Sequence, residues 1–148
     1  MPQITRAYNQ NGTIRFDALA EIRTKHIKEL YELSWSNVYD RPDLQLKVLV
    51  LKVQDNYKEF VKYAEPNHAL AFADAAYNGG IGGLNTERRA CKMSSNCDPQ
   101  KWFGNVELYC MKSKAPLYGN RSACDINRDH VRDVLLVRSN KYEVFFKR

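Results

Sequence analysis

Nowhere does this sequence hold the roughly 20 consecutive apolar residues that a bilayer-crossing helix requires, so no transmembrane segment is expected. Its first residues, Met1-Pro2-Gln3-Ile4-Thr5, lack the basic and apolar regions of a secretion signal. As written, the chain is expected to be soluble and to carry no export signal. Histidine is scarce: His26, His68 and His130 are scattered without ligand spacing, and no Cys-x-x-Cys pair occurs. That puts zinc last among the uses open to the cysteines, and neither a metal nor a cofactor is expected. Repeats, low-complexity tracts and interdomain linkers are missing too, so residues 1–148 are expected to form one domain.

What is present can fill a core, since 44% of the 148 residues are hydrophobic. Lysine and arginine exceed the acidic residues to give a net charge of +6, which draws a protein toward nucleic acid, anionic membrane surfaces or the acidic bacterial wall. The basic residues are spread along the chain apart from a denser C-terminal region (Arg128, Arg132, Arg138, Lys141, Lys147, Arg148). They are not interleaved with aromatics as in a single-strand-binding groove, so they read first as a solvated basic surface and a nucleic-acid partner is not expected. A nucleic-acid-binding helical module rests on charge alone.

The four cysteines, Cys91, Cys97, Cys110 and Cys124, fall in the last two-fifths of the chain. Pairing neighbours gives Cys91 with Cys97 and Cys110 with Cys124, although four cysteines permit three connectivities. Disulfides formed outside the reducing cytosol are favoured over free buried thiols.

Periodicity predicts a mainly α-helical domain of about five helices. Asp17 can cap a helix over 17–33, with Phe16, Leu19, Ile22, Ile27, Leu30 and Tyr31 at near-helical spacing. After Asp40-Arg41-Pro42, apolar residues from Leu44 to Val61 predict a helix of roughly 20 residues buried on most faces. A third helix starts near Pro66 and is stopped by Gly79 and Gly80; small residues at 69, 71, 73, 75 and 76 would let neighbours approach closely. A loop with Gly82 and Gly83 should come next, then a helix opened by Asp98-Pro99 that turns Trp102, Phe103, Val106 and Tyr109 inward. Residues 114–120 read as a loop, and 125–138 as a last helix burying Ile126, Val131, Val134 and Leu135.

The third helix ends in Ala76-Tyr77-Asn78-Gly79-Gly80, which resembles the Ala-Tyr-Asn-x-Gly motif of soluble lytic transglycosylases. Three further stretches resemble that family in the right order. Met1-Pro2-Gln3-Ile4-Thr5 is similar to the Gly-Leu-Met-Gln segment and the residues just after it, Tyr39 to Leu46 to the aspartate-proline turn, and Asn127 to Leu135 to the closing arginine-x-tyrosine-valine helix. Cys91 to Cys97 together with Asp98 to Glu107 looks like phage-encoded endolysins of this kind. The resemblance implies a lysozyme-like fold of the goose-type lysozyme and lytic transglycosylase class. It also implies cleavage of peptidoglycan glycan strands between N-acetylmuramic acid and N-acetylglucosamine, by a monomer acting in the periplasm or cell wall of a bacterial host.

Two departures stand out. His130 replaces the closing motif's tyrosine and reads as a surface or packing histidine. The family's catalytic glutamate lies ahead of the segment at which this chain begins, so the domain is expected to be N-terminally truncated and no residue here inherits that role. By the same resemblance Gln3, Tyr77, Asn78, Gly79 and Gly80 form the glycan-binding set: Asn78 bonding an acetamide, Tyr77 offering ring and hydroxyl, Gln3 lining the cleft, and the glycines keeping side chains off the saccharide. The reaction needs a carboxylic acid whose pKa an apolar pocket raises. Glu21, Glu29, Glu32, Glu59 and Glu65 fall on polar faces or turns, Glu87 lies closer to the glycine loop, and Glu107 reads as a structural partner for a nearby arginine. A non-catalytic wall-binding or phage structural protein is the alternative.

Overall fold

In the computed structural model, which describes residues 6–146, the chain opens with an antiparallel hairpin, β1 (Arg6–Tyr8) and β2 (Ile14–Asp17), pairing Arg6 with Asp17 and Ala7 with Phe16. Gly12 takes φ 80° in its turn, a backbone shape that favours glycine, and Asn9 N–H donates to Thr13 O at 2.8 Å. By their internal contacts the residues form two compact units, Met1–Asp55 and Asn56–Arg148.

In the first unit Asp17 caps a helix as expected, accepting from Ala20 N–H at 2.9 Å. Burial works to raise its pKa, but the bonds from Ala20, Trp35 and Arg6 outweigh it and hold the carboxyl below its ordinary value. The single helix expected over 17–33 is instead two: α1 (Ala18–Lys25) and α2 (Ile27–Leu30). The break is at His26, whose φ −125° and ψ 48° are not helical and whose ring meets Asp55 Oδ2 at 2.8 Å. The break also redirects side chains. Leu19, Ile22, Leu30 and Leu33 enter a core with Val38, Leu44 and Val48, whereas Phe16, Ile27 and Tyr31 are exposed, against expectation.

The long helix α3 (Pro42–Phe60) has the expected extent, and the division between units falls within it. It is not buried on most faces. Leu44 and Val48 enter the core of the first unit, and Asn56 and Phe60 are buried within the second, while Leu46 and Val50 are 62% and 53% exposed, so only part of the apolar surface faces inward.

In the second unit α4 (Pro66–Gly79) starts at Pro66 and stops where expected. Ala69, Ala71, Phe72, Ala73, Ala75 and Ala76 are all buried, and α5 (Ile81–Lys92) and α6 (Ala123–Arg132) both pack against it. Phe72 of this helix meets the tilted ring of Phe60 at a centroid distance of 5.4 Å and Trp102 edge-to-face at 5.9 Å. The loop expected around Gly82 and Gly83 is part of a helix, α5. Glycine costs a helix about 1 kcal/mol, and here the buried stripe Leu84, Glu87 and Cys91 outweighs that cost. Gly80, at φ 82°, makes the corner.

No helix succeeds Asp98-Pro99, also against expectation. The Asp98 carboxylate accepts from Gln100 N–H in a turn, Asn105 Oδ1 takes Asp98 N–H, Gly104 adopts φ 69°, and one 3-10 turn forms at Val106–Leu108. Trp102 and Val106 are buried all the same, with Phe103 and Tyr109 half-buried. Within the expected loop at 114–120 lies a strand, β3 (Pro116–Tyr118), paired with β4 (Arg121–Ser122). The last helical stretch begins earlier than expected, because Ser122 and Asp125 form a reciprocal cap for α6. It continues through a π-helical turn, Asp133–Arg138, into α7 (Ser139–Phe146). Val131 is buried, Ile126 and Leu135 are half-buried, and Val134 is exposed, contrary to expectation, because the wider π turn shifts the phase of the stripe. The protein is mainly α, as expected. No helix among the described residues is long and apolar enough to cross a membrane.

Candidate functional site

The exit of α4 brings Tyr77, Asn78, Gly79 and Gly80 to one place. The helix is buried without a break from Ala71 through Ala76, then Tyr77, Asn78 and Gly79 are half-exposed and Gly80 exposed, so this is where its buried stretch ends. Gln3, assigned to the same set, lies outside the described residues.

The second helix facing this exit is α6. Asn127, 1% exposed, donates from Nδ2 to Ala75 O at 3.1 Å and to Asn78 Oδ1 at 2.9 Å. One turn further on, His130 Nδ1 meets Asp74 Oδ2 at 2.7 Å, so the two helices are joined by successive polar rungs. The bond to Asp74 raises the His130 pKa, against the effect of burial. Burial, aided by the Asp74 charge, pushes the Tyr77 hydroxyl up to about 12. Tyr77 therefore stays a neutral hydrogen-bonding phenol at any physiological pH. His130, expected as a surface or packing residue, is half-buried and part of this polar pair.

Beneath the exit is a buried ion cluster. Glu87 on α5, its side chain 1% exposed, accepts from Lys112 Nζ at 2.8 Å and Met111 N–H at 3.3 Å through Oε1, and from Arg128 Nη1 at 2.9 Å through Oε2. Arg128 also donates to Asn127 Oδ1 at 2.8 Å and to the main-chain oxygens of Glu107 and Val106, and lies 4.9 Å from the Trp102 ring centroid. No buried side-chain polar atom among the described residues lacks a partner. The arginine expected to pair with Glu107 thus binds its carbonyl, and the Glu107 carboxylate takes Gly104 N–H instead.

Gly79 is needed by this cluster. A Cβ there would fall against Lys112 Cε and 2.8 Å from Asn127 Nδ2, so the missing side chain lets both residues close over the helix end. At Gly80 a Cβ would meet nothing, and the left-handed backbone alone accounts for glycine.

Two disulfides fix the frame, in the neighbour pairing Cys91–Cys97 and Cys110–Cys124. The second ties the stretch of chain carrying Met111 and Lys112 to the first turn of α6. Among the described residues no group of three or more His, Cys, Asp or Glu side chains could hold a metal ion.

Sequence reading missed Asp74, Glu87, Lys112, Asn127 and Arg128 as site residues. One signal was available: Glu87 sits in helical phase with Leu84 and Cys91, a carboxylate inside an apolar stripe. No family model matches the chain, and no curated protein or solved structure matches it.

Proposed function

We propose that the chain is a lysozyme-like domain that engages peptidoglycan glycan strands at the exit of α4, in the manner of the lytic transglycosylases and phage endolysins its motifs resemble. The observation that carries this reading is the placement of Tyr77 and Asn78 side by side at the half-exposed end of a helix that is buried from Ala71 through Ala76, on a scaffold with every buried side-chain polar atom satisfied among the described residues. A neutral phenol and an amide suit a sugar bearing hydroxyl and acetamide groups. The two disulfides fit work in an oxidising place such as the periplasm or wall, and the net charge of +6 favours approach to an anionic polymer.

One observation favours a binding role over cleavage by these residues alone. The carboxylates joined to the site, Asp74 and Glu87, are buried and already hydrogen-bonded, so neither is free to meet a glycosidic oxygen. The test is sedimentation with purified sacculi, then mass spectrometry of the supernatant. Wild-type protein should co-sediment, and Tyr77→Ala should lose most of that binding at an unchanged circular dichroism spectrum. Release of 1,6-anhydro ends identifies a transglycosylase, reducing ends a hydrolase, and binding without release a wall-binding domain. Absence of co-sedimentation by the wild type refutes the proposal.

A further inference from the structure

On α5, away from the helix exit, a groove of about 690 Å³ opens between the helix and the turn beyond its C-terminus. One wall carries Asn85, Arg88, Arg89 and Lys92; the other carries Asp98, Pro99 and Gln100. The walls are fixed to each other twice. Cys91 and Cys97 bond them covalently, and Arg88 Nε donates across to Pro99 O at 3.0 Å.

Among the described residues, Arg88, Arg89 and Lys92 make no ion pair. Arg88 is half-buried, with its guanidinium 4.4 Å from the Tyr63 ring centroid and 5.5 Å from that of Phe72, and it donates to a carbonyl and to the Tyr63 hydroxyl at 2.8 Å, both neutral. Arg89 donates to the Thr86 hydroxyl, and Lys92 makes no ion pair among the described residues. The groove's single carboxylate, Asp98, is already engaged by Gln100 N–H and stands 3.9 Å from Lys101. Three cations against one occupied carboxylate leave an excess of two positive charges between walls tied by a disulfide and a hydrogen bond. Aromatic faces compensate a guanidinium in part, and an anion compensates it better. Two forked guanidiniums and an ammonium within little more than one helical turn suit a group with several oxygens and about two negative charges.

We propose that this groove is a binding site for a phosphate group, either free phosphate or the terminal phosphate of a sugar. Arg88 is its fixed anchor, Arg89 and Lys92 close on the oxygens, and Asn85 and Gln100 supply neutral donors. A duplex nucleic acid is disfavoured, because its affinity comes from many phosphate contacts spread along the helix and this groove gathers its three cations at one place.

The full chain, labelled with 15N, tests the site at pH 7 and constant ionic strength set with chloride. Inorganic phosphate should move the amides of Asn85, Arg89, Lys92 and Gln100 along one saturating curve. Tighter saturation by a hexose 6-phosphate assigns the site to a sugar phosphate, equal or weaker saturation assigns it to free phosphate, and the unphosphorylated hexose should move none of these amides. Arg89→Gln with Lys92→Gln, two exposed residues, should weaken the phosphate curve at least tenfold at unchanged melting temperature, while Lys28→Gln leaves it alone. Shifts that never saturate, a curve unchanged in the double variant, or duplex DNA held at the groove against competing phosphate would each overturn the proposal.

Discussion

Replacing Glu87 by glutamine keeps its shape and removes the one negative charge that Lys112 and Arg128 share. Both cations have side chains less than a fifth exposed, at 14% and 18%, so water cannot take the place of the lost anion. Breaking a buried pair by removing one partner costs about 3–5 kcal/mol, because the remaining charge stays buried and uncompensated. The glutamine oxygen still accepts one bond, while its NH2 group turns a donor toward another donor, so the lower end, about 3 kcal/mol, is expected. With a urea slope of about 1–3 kcal/mol/M, that loss lowers the unfolding midpoint by at least about 1 M. Trp102 reports the event directly, because Arg128 stacks on it, and a Trp35→Phe background removes the only other indole. Glu107→Gln is the control. Its carboxylate accepts from Gly104 N–H, and its loss should stay within about 1 kcal/mol. The Glu87→Gln deficit should also persist from low to high salt, since buried charges are little screened. A loss under about 1 kcal/mol, the range of exposed ion pairs, would show that Glu87 is not the counter-ion that holds this unit together.

Gly79 and Gly82, three positions apart on successive helices, should respond in opposite senses to the same change. Gly79→Ala forces a methyl against Lys112 and Asn127 and should destabilise by about 1–3 kcal/mol, whereas Gly82→Ala, inside α5 with open space around it, should stabilise by about 0.4–1 kcal/mol; thermal melts of both variants decide it. The raised pKa of His130 means that the folded state binds its proton more tightly than the unfolded chain does. Its pair with Asp74 therefore adds stability below the ordinary histidine value of 6.5, and that share is lost as pH rises through the elevated folded value. Because the His130 side chain is 34% exposed, solvent screening holds the contribution to under about 1 kcal/mol. His130→Gln should flatten the stability profile between about pH 5 and 8, and an unchanged slope in urea titrations would contradict the pairing.

How far the sequence could be read depended on whether the signal was local. Pro66, the run of alanines and the Gly79-Gly80 stop all lie within or beside α4, so its start near Pro66 and its stop at the two glycines were legible. The length of α3 was legible too, but not its buried face, since leucine and valine occupy most positions from Leu44 to Val53 and a stripe needs contrast to be seen. Aspartate then proline opens helices and also closes Asx turns, and Asn105 and Gly104, downstream, chose the turn. The same limit applies to the site. Tyr77 to Gly80 form a contiguous motif, but the residues that support them are 41 to 56 positions from their partners in the pairs Glu87–Arg128, Asn78–Asn127, Ala75–Asn127 and Asp74–His130. Contacts at that separation leave no periodicity behind.

Those distant contacts fix which way the Asn78 amide points. The Arg128 guanidinium can only donate, so the Asn127 atom that meets it at 2.8 Å is the amide oxygen. The other end of Asn127 is then NH2, consistent with its bond to Ala75 O, which can only accept. An NH2 group facing Asn78 obliges Asn78 to present its oxygen inward, and its own NH2 is left to point away from α6. Under the proposed glycan-binding role, the helix exit would offer a donor at Asn78 and would require of the ligand an acceptor, such as the carbonyl oxygen of an N-acetyl group. Asn78→Asp isolates that requirement, because a carboxylate still accepts from Asn127 and keeps the rung but has no hydrogen to give and repels an anionic wall polymer. Sacculus binding should fall at least tenfold, with the melting temperature within a few degrees of wild type. Full binding by Asn78→Asp would mean that the sugar does not meet this amide, and the site at the end of α4 would have to be given up.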